Sequence, residues 1–268
     1  MKKILSLLFA FLLLVAQPAS CSLLLSGGGS TASPIAAPTE ASQFTAANSE
    51  YLSVANDANL QFGNEDFSVA GWVYLDSTGV AFRVPIGKWD YVGNKREYAV
   101  YFNDALAKFG FFVSNNGTAN SGVFTSSTIS TGAWHYVVGV HDSVNNLLKI
   151  SLDGAAFDTA AYVLGGNANT SSFTLGADGS TDEFWDGRIS KAGVWRKVLS
   201  AGEVTQLYNS GNGLAHCQLD SGLLTSLEGY WNLSESSGTR ADSTANANNL
   251  TDNNTVTGNP GVGSGNCL

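Results

Sequence analysis

Between Trp134 and Gly213 the chain carries, in order, an alternating strand, a second strand ending in Asp-Gly, a Gly-Arg-Ile strand and a capped helix. Trp134, Tyr136, Val138 and Val140 share one parity, so an extended chain puts them on one sheet face. Leu148, Ile150 and Leu152 alternate with Lys149 and Ser151 and run into Asp153-Gly154, where glycine accepts the positive φ of a primed turn. Gly187 to Trp195 reads as a further strand. Ser200 and Glu203 then have capping-box spacing, Val204, Leu207 and Tyr208 follow at helical spacing, and Gly211 is suited to close the helix. Strands succeeding strands around a single short helix require an all-β architecture.

The upstream chain agrees. Phe44, Tyr51-Leu52 and Val54, then 67–75, 82–88, 97–102, 108–113 and 122–124 read as short strands, separated by Gly63-Asn64, Asn103-Asp104 and Asn115-Asn116-Gly117. About a dozen closely spaced strands predict a two-sheet antiparallel β-sandwich, with the helix as a lid over one end. The apolar fraction of 44% is enough for a core, and only 13% of residues are charged, as suits strands joined by turns. A net charge of -9 with no basic stripe excludes nucleic acid as a partner.

The order and spacing of several fragments resemble the laminin G-like members of the concanavalin A-like lectin/glucanase superfamily. They are Trp134 to Val140, Leu152-Asp153-Gly154, Phe184-Trp185-Asp186-Gly187-Arg188-Ile189, Val194-Trp195, and Leu199-Ser200 through Glu203 to Gly211. Phe67 to Tyr74 and Gly87-Lys88-Trp89 look like the family's early core strands. The resemblance covers 42–214 and implies a jelly roll. It also implies that Gly229-Tyr230-Trp231-Asn232-Leu233-Ser234-Glu235, which looks like the family's opening strand, stands after the closing helix. A circular permutation, with the tail 215–268 supplying the missing strand, is the simplest expectation. Donation of that strand to a neighbouring chain, or a loose truncated second repeat, are the alternatives.

At the N-terminus Lys2-Lys3 precede the apolar run Ile4 to Ala16, which is short for a membrane span and reads as a signal peptide over 1–21. Pro18-Ala19-Ser20-Cys21 resembles a bacterial lipoprotein signal in which Cys21 is lipidated, although Pro18 departs from the aliphatic residue expected there. Ordinary signal-peptide cleavage is the competing expectation. Either way the protein is expected to be exported, extracellular or at the cell surface, touching membrane only through a lipid anchor. Residues 22–41, with Gly27-Gly28-Gly29, Pro34 and Pro38, read as a flexible linker. In an exported protein Cys217 and Cys267 are expected to pair, closing a loop worth about 3 to 4 kcal/mol; two unpaired thiols are the bland alternative.

No Glu-x-Asp-x-Glu triplet of the glucanase kind occurs, and Glu65-Asp66 and Asp182-Glu183 are adjacent, so a strand would send their members to opposite faces. There is no Gly-x-Ser-x-Gly elbow and no zinc motif, and His135 and His141 share a strand face as structural residues. Ca2+ is the expected cofactor, because the family holds calcium at a loop end and oxygen ligands suit a hard cation. Asp178, Asp182 and Glu183 are its candidate ligands, against the alternative of solvated turn carboxylates. For a glycan, exposed rings that stack on sugar faces beside planar polar groups are required. Trp89, Tyr91, Asn94 and Trp185 are the candidates, Tyr91 first, whereas Trp72, Trp134, Trp195 and Trp231 read as core. The expected function is noncatalytic carbohydrate binding, possible partners being a glycan or a cell-surface protein. A structural or adhesive module is the alternative, and a glycoside hydrolase the third reading.

Overall fold

A computed structural model describes residues 38–79 and 81–259. In chain order the strands are β1 (Ala41–Phe44), β2 (Tyr51–Val54), β3 (Phe67–Leu75), β4 (Phe82–Asp90), β5 (Lys95–Asn103), β6 (Lys108–Ser114), β7 (Asn120–Phe124), β8 (Trp134–Asp142), β9 (Leu147–Leu152), β10 (Asp158–Ala161), β11 (Phe173–Leu175) and β12 (Gly187–Trp195). Helices α1 (Ala201–Tyr208) and α2 (Ser221–Leu224) precede β13 (Leu227–Trp231), β14 (Thr251–Asn253) and β15 (Thr257–Asn259). Two antiparallel sheets face each other as a jelly-roll sandwich. The first runs β10-β9-β8-β3-β12-β1-β15 with β13 also on β12, and the second runs β14-β2-β11-β4-β5-β6-β7.

Period-two alternation decides which side chains meet between the sheets. Phe67, Val69, Val73 and Leu75 of β3 point inward with Val137 of β8, against Tyr98, Val100 and Phe102 of β5 and Phe109 and Phe111 of β6. The other parity of the first sheet does not face water. Trp72, Trp134, Tyr136, Val138 and Val140 lie under Val204 and Leu207 of α1, and Tyr208 stacks on Trp72 with centroids 5.5 Å apart. The helix therefore covers a sheet face rather than one end of the sandwich. Eight residues are too few to hold a helix in water alone. Its capping box, with Ser200 accepting from the Glu203 amide and Glu203 accepting from the Ser200 amide, adds about 1 kcal/mol, and each buried apolar side chain adds about 2. Asp153 and Gly154 both take positive φ, at 54° and 73°, in the turn after β9.

Along one edge of β12 lies β3, and the other edge is shared end to end by two strands from opposite ends of the chain. Residues 42–44 of β1 pair with 187–189, and β13 pairs with 192–195 beyond a register shift. The tail also adds β15 beside β1 and β14 beside β2, so it contributes to both sheets of its own chain. Trp231, Leu233, Leu250 and Val256 join the central core. Arg240, fully buried, donates to Ser42 Oγ at 2.9 Å, to Val256 O at 2.8 Å and to Gly238 O, tying tail to first strand. Cys217 is disulfide-bonded, whereas Cys267, Cys21 and the signal segment lie outside the described residues.

Candidate functional site

The outer face of the second sheet has no helical layer among the described residues, and its side chains are not those of a solvated face. Antiparallel partners directly opposite one another share a face, so the register writes the outer rows: Tyr101, Gly110 and Phe124 in one, Ala99, Phe112 and Gly122 in the next. Phe82 lies opposite Asn103, and Val84 and Trp89 pack with Ala99 and Tyr101 as an apolar cluster separate from the central core. A water-facing sheet surface is normally polar. Here it holds an aromatic groove of about 390 Å³, lined by Phe82, Trp89, Tyr91, Tyr101, Asn103, Leu106, Phe112, Asn120, Phe124 and Glu183.

Two glycines make room for this floor. A Cβ on Gly122 would come within 2.6 Å of the Phe112 ring, and one on Gly110 within 2.7 Å of Phe112 and 2.9 Å of Phe124. Tyr101 is the hub, meeting Phe82, Trp89 and Phe112 edge-on at centroid distances of 6.0, 5.6 and 5.4 Å. Edge-to-face contacts of this kind hold rings in fixed orientation. Tyr101 and Trp89 form the buried floor, while Phe82, Tyr91 and Leu106 are exposed at the rim.

Glu183 is the one carboxylate among the described lining residues of the groove. The Tyr101 hydroxyl lies close enough to influence it. Burial, then the charges of Asp178 and Asp182, pushes its carboxyl up to about 7 against the favourable influence of Tyr101 and Arg96. The same burial, with Glu183 and Asp178 nearby, raises the Tyr101 phenol. Glu183 Oε2 and the Trp89 indole nitrogen are buried without a hydrogen-bond partner, a state that costs about 1 to 3 kcal/mol per group. Arg96 lies over the Tyr91 ring, 4.0 Å from its centroid, and donates to Tyr91 O and Thr118 O. A second hollow of about 470 Å³, lined in part by Ala46, Arg83, Asp182 and Phe184, shares Phe82 and Glu183 with the groove.

The two loops nominated from sequence do meet. The Gly179 amide donates to Trp89 O, so the 178–183 loop is stitched to the end of β4. The nominated residues separate, however. Trp89 is 1% exposed and serves as floor, Tyr91 is 57% exposed and serves as rim, and Asn94 sits in the β4–β5 turn outside the lining. Trp185 is buried in the central core against Phe109, with no face for a sugar. Its alternation was hidden in a loop, where parity gives no guide.

The three carboxylate residues nominated for calcium take part in the turn itself. Asp178 is fully buried and accepts from the Asp182 amide at 2.8 Å and from Ser180 Oγ, while Asp182 accepts from the Glu183 amide at 2.9 Å. Among the described residues no three His, Cys, Asp or Glu come together as a metal group. These carboxylates fix the turn that presents Glu183. His135 bonds Asp153 and His141 bonds Glu65 O.

A family model described as the concanavalin A-like lectin/glucanases superfamily, of the laminin G type, matches residues 46–205. A protein of Bacteroides ovatus provisionally described as carbohydrate binding superposes with a TM-score of 0.62 at 16% identity, over 83% of this chain and 60% of that one. The binding domain of Paraclostridial Mosquitocidal Protein 1 gives 0.50 at 15% identity, over 60% and 41%. The chain thus spans 60% and 41% of these proteins, less than two thirds of either, and at such identities the likeness is one of fold. No curated protein matches the sequence.

Proposed function

The chain belongs to the concanavalin A-like lectin/glucanases superfamily, and from that premise we propose that its aromatic groove binds carbohydrate without turning it over. The observation that carries the reading is a groove in which the rings of Phe82, Tyr91, Phe112 and Phe124 stand over a buried floor of Tyr101 and Trp89, edged by Asn103, Asn120 and Glu183. Rings stack on the C–H faces of a sugar, and the amides and the Glu183 carboxyl take its hydroxyls. The Bacteroides ovatus neighbour, described as carbohydrate binding, supports this choice of ligand. Because the groove continues into a second hollow at Phe82 and Glu183, an oligosaccharide suits it better than a single sugar.

A carboxyl raised to about 7 in a cleft is also what a glycosidase acid requires. Hydrolysis needs a second carboxylate across the same bond. Asp182, the nearest in sequence, accepts from the Glu183 amide and lines the adjoining hollow instead. The binding reading is therefore preferred. We extend it to an exported protein on the sequence alone, from Lys2-Lys3, the apolar run after them and Cys21.

A glycan array, run with and without chelator and followed by a reducing-end assay on each hit, tests the reading. It expects oligosaccharide hits that survive chelation and are not cleaved. A blank array rejects it, and cleavage abolished by Glu183→Gln replaces it with the hydrolase.

A further inference from the structure

Resting on the carbohydrate reading above, we propose that the groove selects sugars that carry a protonated amine and disfavours sugars that carry a carboxylate. The charged groups around Glu183 set the selection. Asp178 and Asp182 come from its own loop, and both act on it as like charges. From β5, Tyr101 presents a hydroxyl and Arg96 a guanidinium, and from β4 comes Arg83. Neither arginine lines the aromatic groove itself, Arg83 lining the adjoining hollow, and both spend terminal nitrogens on backbone carbonyls. Arg96 donates to Tyr91 O and Thr118 O beneath the Tyr91 ring, and Arg83, 3% exposed, donates to Phe184 O at 3.1 Å. The described groove lining contains no lysine and no histidine.

What the groove offers instead suits a cation. Glu183 lines the groove as its one described carboxylate, so an ammonium N–H meets it in a charge-assisted hydrogen bond. The aromatic lining adds the ring quadrupole, whose negative faces attract an ammonium and not a carboxylate. An N-acetylated sugar keeps the stacking and loses the charge. A uronic acid sets a carboxylate against the acidic cluster of Glu183, Asp178 and Asp182. Because burial holds much of Glu183 protonated near neutrality, binding an ammonium there releases a proton to solvent.

Calorimetric titration with short glucosamine oligomers, N-acetylglucosamine oligomers and oligogalacturonate at about pH 7 tests the proposal. In the wild-type protein the glucosamine oligomer is expected to bind about tenfold tighter than its acetylated counterpart. The uronate is expected to bind weakest, and the glucosamine heat to vary with buffer as a proton leaves. In Glu183→Gln the glucosamine preference is expected to fall to near unity and the proton release to vanish. A measurement on the wild type alone keeps the proposal testable if that variant fails to fold: the preference must shrink as salt rises from about 0.05 to 0.5 M. Acetylated or uronate oligomers binding as tightly as glucosamine would overturn the selection and leave the carbohydrate reading standing. No binding by any of the three oligomers, together with a blank array, would remove both.

Discussion

Trp231 lies nearly flat against Phe173, with ring centroids 5.0 Å apart and planes 19° from parallel. The two residues belong to opposite sheets: β13 pairs with β12 in one, and β11 pairs with β2 and β4 in the other. A residue placed after the helix in sequence thus helps join the sandwich at its centre, and its indole N–H donates to Asn248 O at 2.9 Å.

Trp231→Ala removes that stack and leaves a cavity in the central core. A loss of about 3 to 5 kcal/mol is expected in urea unfolding, and truncation after Leu214 should yield no cooperative transition. An unchanged midpoint in either variant would mean that the tail does not complete the core.

Arg240 ties residues about two hundred apart in sequence, from Ser42 to Val256, through bonds to buried oxygens. Arg240→Met leaves those oxygens without donors, and destabilisation of about 2 to 4 kcal/mol is expected. Hydrogen exchange should rise first at β1 and β15, because these strands flank the clasp. Uniform exchange across both sheets would place the main role of Arg240 elsewhere.

Glu183 gives stability a pH dependence of known sign. Its carboxyl is raised in the folded state from the ordinary 4.5 to about 7, so folding favours the protonated form. The stabilisation is complete below about pH 4.5 and is lost as pH rises through about 7. Asp142 and Glu203, whose carboxyls are lowered, act oppositely and lose their contribution as pH falls. The difference between wild type and Glu183→Gln isolates the effect. It should change by about 1 to 2 kcal/mol between pH 4.5 and 7.5, after allowance for partial exposure. A flat difference would show that the groove does not desolvate this carboxyl.

Gly122→Val adds a branched side chain where a single Cβ already comes within 2.6 Å of the Phe112 ring. The ring must turn out of the floor. Glycan affinity should drop at least tenfold while the loss of stability stays near 1 to 3 kcal/mol, as read by titration and thermal melts.

The scaffold was legible because its periodicities are local. The parity of Trp134 to Val140, the Asp153-Gly154 turn and the Ser200 to Glu203 capping box each depend on neighbours in sequence, and each appears in the structure. The groove was not legible for a related reason. In Phe109-Gly110-Phe111-Phe112-Val113 both parities carry aromatic rings, so the sequence does not say which face is buried. Only the pairing of β6 with β5 and β7 assigns Phe111 to the core and Phe112 to the groove. Aromatics of the wrong parity beside Gly110 and Gly122 were the available signal. Trp185 misled in the opposite way, since a loop position suggested exposure and tertiary packing buried it.

The groove itself is most directly tested at Phe82, which is 40% exposed and therefore removable without opening the core. Titration of an array-identified oligosaccharide into wild type, Phe82→Ala and Val144→Ala, the last an exposed control residue outside the groove lining, is the decisive measurement. A groove that binds glycan predicts about tenfold weaker binding for Phe82→Ala alone, with all three melting temperatures alike. Undiminished binding by Phe82→Ala would contradict the account.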